Sequence, residues 1–161
     1  MKIKSILIII TLAFTIQQYA LGQNYNTGIG VRLGSFTGIT AKHFMSPVNA
    51  LEGLLSFRWD GFIITGLYEW QKPIPTVEGL DWEIGGGAHI GFWNGNSYYW
   101  RPDNGGTTSA VFGLDFILGM EYTFRQAPFT VGLDWKPAFN LIGDYHWWGD
   151  GVALSVRFNL K

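Results

Sequence analysis

Three histidines, His43, His89 and His146, are the side chains of this sequence best suited to moving a proton near neutral pH. His146 lies between Asp144 and Asp150 in a stretch rich in tryptophan and glycine, and Ser97 or Ser109, from a second such stretch, could approach it. A serine, a histidine and an acid in hydrogen-bond reach would make a nucleophile and its base. The same Asp/His stretch offers donors to a metal, but its spacing matches no metal-site pattern. Solvated loop side chains account for His146 without any chemistry, and a satisfied polar interior accounts for His89 among its glycines. No catalytic, cofactor-binding or metal-ligating set is therefore assigned, and no cofactor is expected.

A larger group of chemistry-bearing residues emerges once the elements are laid out. Residues 110–124 alternate strictly: Ala110, Phe112, Leu114, Phe116, Leu118, Met120, Tyr122 and Phe124 against Val111, Gly113, Asp115, Ile117, Gly119, Glu121 and Thr123. Period-two alternation is the signature of a strand with two unlike faces, and a helix would put Asp115 and Glu121 on no common stripe. Residues 129–139 repeat the pattern, with Thr130, Gly132, Asp134, Lys136 and Ala138 on the polar side, and residues 152–160 do so with Ala153, Ser155, Arg157 and Asn159. Residues 80–92 and 51–59 alternate too, and Asp60-Gly61 is a hairpin signal leading into 62–70. A weaker pair around Arg32 and Lys42 completes eight strands.

The polar faces gather Arg32, Lys42, Arg58, Lys136 and Arg157 with Glu52, Glu69, Glu83, Asp115, Glu121 and Asp134, and with His89. Five bases against six acids is close to balance, as expected of a polar core made of paired charges; an ion path is the other reading of the same residues. Such residues inside an eight-stranded barrel, whose interior is only wide enough for its side chains, imply a plugged lumen rather than a pore.

Composition sets the solvent. Charged residues make up 14% of the 161-residue chain, against about 25% in ordinary globular domains. Aromatics make up 17%, with eight Trp and twenty-two Gly, yet beyond the first segment no apolar run is long enough for a membrane helix. Alternating lipid-facing and lumen-facing residues reconcile the two, because a transmembrane β-barrel needs no continuous apolar stretch. A soluble barrel with a greasy interior is the rival. Against it stand the glycines of the polar face and the volume of the apolar side chains, which an eight-stranded interior could not enclose. Apolar-face aromatics also cluster at strand ends: Trp70, Trp82, Tyr122, Phe124, Phe129 and Phe158 at one level, and Trp59, Phe62, Phe92, Phe112, Trp135 and Phe139 at the other. Two such girdles are expected where rings meet lipid headgroups.

The first segment reads as an export signal. Lys2 and Lys4 precede an apolar run from Ile6 to Ile16, and Ala20 and Gly22 supply small residues for cleavage before Gln23. The expected organisation is thus a signal peptide at 1–22 and one domain at 23–161. Removing two lysines leaves nine basic and twelve acidic residues, a net charge near −3 and no basic footprint for nucleic acid. With no cysteine, an exported chain of this size lacks a disulfide frame.

Short turns at 46–49, 73–79 and 125–128 fall at one end, which this reading makes periplasmic. The outer end carries the long stretches 93–109 and 142–150. There, Tyr98, Tyr99, Trp100, Arg101, Tyr145, His146, Trp147 and Trp148 are candidates for surface recognition, since aromatics and Arg are common binding anchors; extending the outer aromatic belt is the alternative.

Gly119-Met120-Glu121-Tyr122-Thr123-Phe124, Pro128 and the run from Gly132 through Asp134-Trp135-Lys136-Pro137 to Asn140 resemble the small outer-membrane β-barrel proteins common in Bacteroidota. Gly66-Leu67-Tyr68-Glu69-Trp70 and Gly85-Gly86-Gly87-Ala88-His89 look like that family too. In architecture the chain is similar to eight-stranded barrels of the OmpA and OmpX type, from which it departs by ending Phe158-Asn159-Leu160-Lys161 instead of on an aromatic residue. The expectation is an all-β, closed, eight-stranded antiparallel transmembrane barrel in up-and-down order, exported to the bacterial outer membrane of a Gram-negative cell. Its expected partners are outer-membrane lipid and, during biogenesis, periplasmic chaperones and the barrel-assembly machinery, with no nucleic acid and a monomeric state. The expected role is structural or surface-interacting and not enzymatic. A lipid-A-modifying hydrolase or acyltransferase and a narrow passive channel are the alternatives.

Overall fold

A computed structural model describes residues 26–58, 61–93, 109–143 and 147–160. The expected signal peptide, Trp59, Asp60, Ser97, Tyr98, Tyr99, Trp100, Arg101, Asp144, Tyr145 and His146 lie outside the described residues. Ten strand segments follow in chain order: β1 (Thr27–Gly34), β2 (Thr37–Phe44), β3 (Asn49–Arg58), β4 (Gly61–Pro73), β5 (Leu80–Trp93), β6 (Ser109–Thr123), β7 (Phe129–Trp135), β8 (Ala138–Ile142), β9 (Trp147–Trp148) and β10 (Val152–Leu160).

They form a closed barrel of eight antiparallel strands. Each strand pairs with its neighbours in sequence, and β1 closes the cylinder on β10, from Thr27 opposite Leu160 to Gly34 opposite Ala153. Ten segments make eight strands because the last two strands are each interrupted. β7 and β8 both pair with β6, and the break between them falls at Lys136 and Pro137. Pro137 has no N–H to give to the ladder, but its carbonyl still accepts from Phe116 N at 3.0 Å, so the strand continues past it. β9 pairs with β8, β10 pairs with β7, and residues 149–151 separate them. Lys136 N donates across this second break to Gly151 O at 2.9 Å. A Cβ on Gly151 would lie 2.0 Å from the Lys136 carbonyl oxygen, so only glycine allows the two chains to approach so closely here.

The connections at 45–48, 74–79 and 124–128 define a short-turn end. Ser46 Oγ accepts from the backbone N–H groups of Val48 and Asn49, a local bond that holds the β2–β3 turn. Gly79 takes a φ of 85°, which favours glycine, and its carbonyl accepts from Thr123 N at 2.8 Å. Both ends of the described chain lie at this end too, through Thr27 and Leu160.

The two faces of the wall are inverted relative to a protein folded in water. Thirty large apolar side chains stand exposed on the described surface, among them Ile29, Val31, Leu33, Leu114, Leu133 and Leu154. The buried set holds eighteen polar or charged residues and only eleven apolar ones. Of the expected girdle residues that are described, all but Phe92 and Phe158 are exposed on the outer wall; those two are half-buried. Phe129 and Phe158 meet edge to face at 5.4 Å at one level, and Phe62 and Phe92 meet at 5.2 Å at the other.

Candidate functional site

The strand pairing aims one side chain in two from every strand into the barrel, so the interior is assembled from isolated positions of all eight strands. Glycines supply the room. A Cβ on Gly113 would lie 2.4 Å from the His89 ring, and one on Gly119 would lie 2.7 Å from Glu83 Oε1. Long charged side chains from one strand thus lie across glycines of the next.

Toward the short-turn end six charged side chains converge: Lys42, Glu52, Glu69, Glu83, Glu121 and Arg157, none more than 2% exposed. Lys42 Nζ lies 2.7 Å from Glu69 Oε2 and 3.1 Å from Glu121 Oε1, and it also bonds Glu83. The Arg157 guanidinium spans the cavity, donating to Glu52 and to Glu121, while its Nε donates to Thr40 Oγ1 at 3.0 Å. Thr40 in turn donates to Glu52. Leu54, Leu67 and Ile117 form a small apolar cluster on the β3–β6 side of the interior.

Farther toward the other end the charges occur in matched pairs. Arg32 holds Asp134 through two parallel bonds of 2.5 Å, the fork geometry that suits a guanidinium and a carboxylate. Lys136 donates to Asp115, whose other oxygen lies 2.6 Å from His89 Nδ1. The remaining His89 nitrogen is 3.0 Å from Asn140 Oδ1. His89 is buried with a partner at each nitrogen, as expected for a polar-core residue.

An aromatic layer covers this group. The Trp148 ring stacks on His89 at 5.5 Å and meets Phe36 at 5.7 Å and Trp93 at 5.6 Å. All three aromatic side chains are buried, together with Ile63, Val111 and Ala138. Lys136 Nζ lies 4.7 Å below the Phe36 ring and the Arg58 guanidinium 4.6 Å from it, both in cation–π range.

Two expectations, for Trp148 and Pro137, are corrected by this arrangement. Trp148, expected among exposed loop aromatics, points into the barrel, whereas Trp147 beside it is exposed. The reason is the break at 149–151: counting back from outward Val152 in strict alternation would put Trp148 outside, and the irregular residues reverse the phase. Arg58 lies at the outer rim of the lumen with its side chain largely buried against the Phe36 ring, and it bonds Asp150, whose carboxylate reaches solvent, at 2.7 Å. Pro137, assigned to the outer face by alternation, is buried at the break. Phe36, from the connection between β1 and β2, and Trp93, expected in the outer stretch 93–109, both belong to the aromatic layer. Trp93 carried a usable signal, since it continues the inward phase of Gly87, His89 and Gly91. With Arg58 at the rim paired to Asp150, four fully buried bases, Arg32, Lys42, Lys136 and Arg157, remain against six acids.

Of the other histidines, His43 is on the outer wall, 2.8 Å from Thr27 Oγ1. Among the described residues no cluster of three or more His, Asp or Glu side chains is arranged to hold a metal ion.

No protein-family model matches the chain, and no curated protein is significantly similar to it. Among solved structures, the N-terminal β-barrel domain of Pseudomonas aeruginosa OprF superposes with a TM-score of 0.64. The match covers 86% of this chain and 100% of that one at 15% sequence identity, a likeness of fold. The chain shares the fold of that closed, eight-stranded antiparallel barrel.

Proposed function

We propose that this chain is an integral outer-membrane β-barrel of a Gram-negative cell whose lumen is plugged by its own side chains, with a structural or surface-interacting role. The observation that carries this reading is the inverted wall: twenty-six of the thirty exposed large apolar side chains stand on the strands, while charged residues fill the interior. Monomeric soluble proteins rarely expose apolar patches beyond a few hundred Å². In a bilayer the same wall meets hydrocarbon, the two aromatic levels meet the headgroups, and closure of the sheet leaves no unpaired edge. The likeness to the outer-membrane barrel of OprF supports this location.

The reading includes export by a cleaved signal peptide at 1–22, a monomeric state, lipid as the permanent partner and passage through periplasmic chaperones and the barrel-assembly machinery. It also includes membership in the small Bacteroidota barrel proteins. The crossing ion pairs and the aromatic layer support the plugged lumen, since both lie across the axis that an ion would follow. The stretch 94–108 and the segment around Trp147 are where contact with the cell's surroundings would occur.

Heat-modifiable migration in detergent gels is the expected behaviour, and recovery of folded protein in a detergent-free soluble fraction would refute the membrane reading. Purified protein in planar bilayers is expected to give no stable single-channel steps; regular steps would overturn the plug. An unchanged lipid A mass spectrum in cells lacking the protein is expected, and an altered one would turn the assignment toward a lipid-modifying enzyme.

A further inference from the structure

The charge layer at the short-turn end does not balance. Arg32 and Lys136 each have a carboxylate of their own, Asp134 and Asp115. Lys42 and Arg157 are left with four, Glu52, Glu69, Glu83 and Glu121, all sealed from solvent. Two uncompensated negative charges in such a place would carry a heavy desolvation penalty, so something positive must accompany them.

The positions of the oxygens say where. Ala50 faces Glu69 and Glu52 faces Leu67 across β3 and β4, which makes Glu52 and Glu69 diagonal neighbours on the inner face. Glu52 Oε2 and Glu69 Oε1 are both buried with no donor. Two buried carboxylates side by side, each with an oxygen that no donor reaches, are stable together when one of them carries a hydrogen. Glu83 is the second candidate, because it meets Lys42, a cation already shared with Glu69 and Glu121. Glu52 and Glu121 each hold the Arg157 guanidinium. The described residues offer no metal-binding arrangement that could neutralise the layer instead.

We propose that this layer binds two protons from solution as structural ligands, one on Glu69, whose O–H donates to Glu52, and one on Glu83. Glu52 and Glu121 then remain ionised against Arg157 and Lys42, and the layer is neutral. The charged groups facing it are Lys42 from β2, Glu52 from β3, Glu69 from β4, Glu83 from β5, Glu121 from β6 and Arg157 from β10. Arg32 with Asp134, and Lys136 with Asp115 and His89, lie beyond; Asp81, hydrogen-bonded to Gln71, lies on the short-turn side. Two carboxylates forced together commonly share a proton in this way.

Infrared spectroscopy of the full-length barrel folded in detergent tests the inference, which rests on the sealed lumen and not on the membrane location. At pH 7 the wild type is expected to show the carbonyl stretch of a protonated carboxylic acid, moving to lower frequency in heavy water. Glu69→Gln and Glu83→Gln are each expected to remove about half of that band while leaving heat-modifiable migration intact. An independent reading needs no variant: unfolding the wild type in urea at pH 7 should release about two protons to the medium, because a free glutamate is ionised there. No acid band in the folded wild type, a band undiminished in Glu69→Gln, or unfolding without proton release would each overturn the proposal. Unfolding that instead depends on the sodium or potassium concentration would show an inorganic cation in the protons' place, and would also overturn it. A soluble, detergent-independent barrel that keeps the band would sink the membrane reading and spare this one.

Discussion

The two halves of the lumen solve the same problem differently. Toward the long-loop end each buried base has its own acid, Arg32 with Asp134 and Lys136 with Asp115, and aromatic rings cover them. Toward the short-turn end two bases serve four acids, and each base is shared. A matched pair can be removed as a unit and replaced by apolar side chains. A shared cation cannot, because taking it away strands several partners at once. Burial alone does not rank these residues; the number of opposite charges depending on each one does.

Four measurements of unfolding in urea, on protein refolded in lipid or detergent, would sharpen or break this contrast. Arg157→Met is expected to cost most, about 3–5 kcal/mol or outright failure to fold, because Glu52 and Glu121 lose their shared cation. A cost no larger than that of a surface change would end the argument. Trp148→Ala should cost about 3 kcal/mol through the cavity left above His89, while Trp147→Ala, on the outside, stays within about 1 kcal/mol. Equal effects would contradict the reversed phase at 149–151. Leu114→Arg, on the outer wall, is expected to lose about 2–3 kcal/mol in lipid. A negligible loss there would argue against a lipid-facing surface. The double replacement Arg32→Met with Asp134→Leu should leave stability within about 1 kcal/mol of the native barrel, whereas either single change costs several times more. Non-additivity of that size is the mark of a matched pair.

Much of this was readable in the residues. Strict alternation in 110–124 and 152–160 needs no tertiary information, since the pleat alone sends Asp115, Glu121 and Arg157 to one side. Eleven of the twelve residues expected in the polar lumen are buried there. Alternation gives the face of Arg58 but not its height at the rim or its partner, because Asp150 is ninety-two residues away in sequence. Trp148 was misplaced because an irregular stretch costs nothing visible in composition yet reverses every residue before it. Charge balance was legible only as a total. Five bases and six acids looked nearly neutral along the chain, and the imbalance appeared once three dimensions separated them into layers.

The seam between β1 and β10 has a consequence for how the cylinder forms. The other barrel pairings join strands that are neighbours in sequence, so they can zip up locally and fast, whereas the seam must join residues at opposite ends of the described chain. Until those two strands meet, the sheet has two open edges with unpaired backbone groups. Among the side chains that reach past the seam from inside are Arg32 to Asp134 and Arg157 to Thr40 and Glu52. They act as a clasp: none of these bonds can form until the last strand meets the first, and all must part before the wall can reopen.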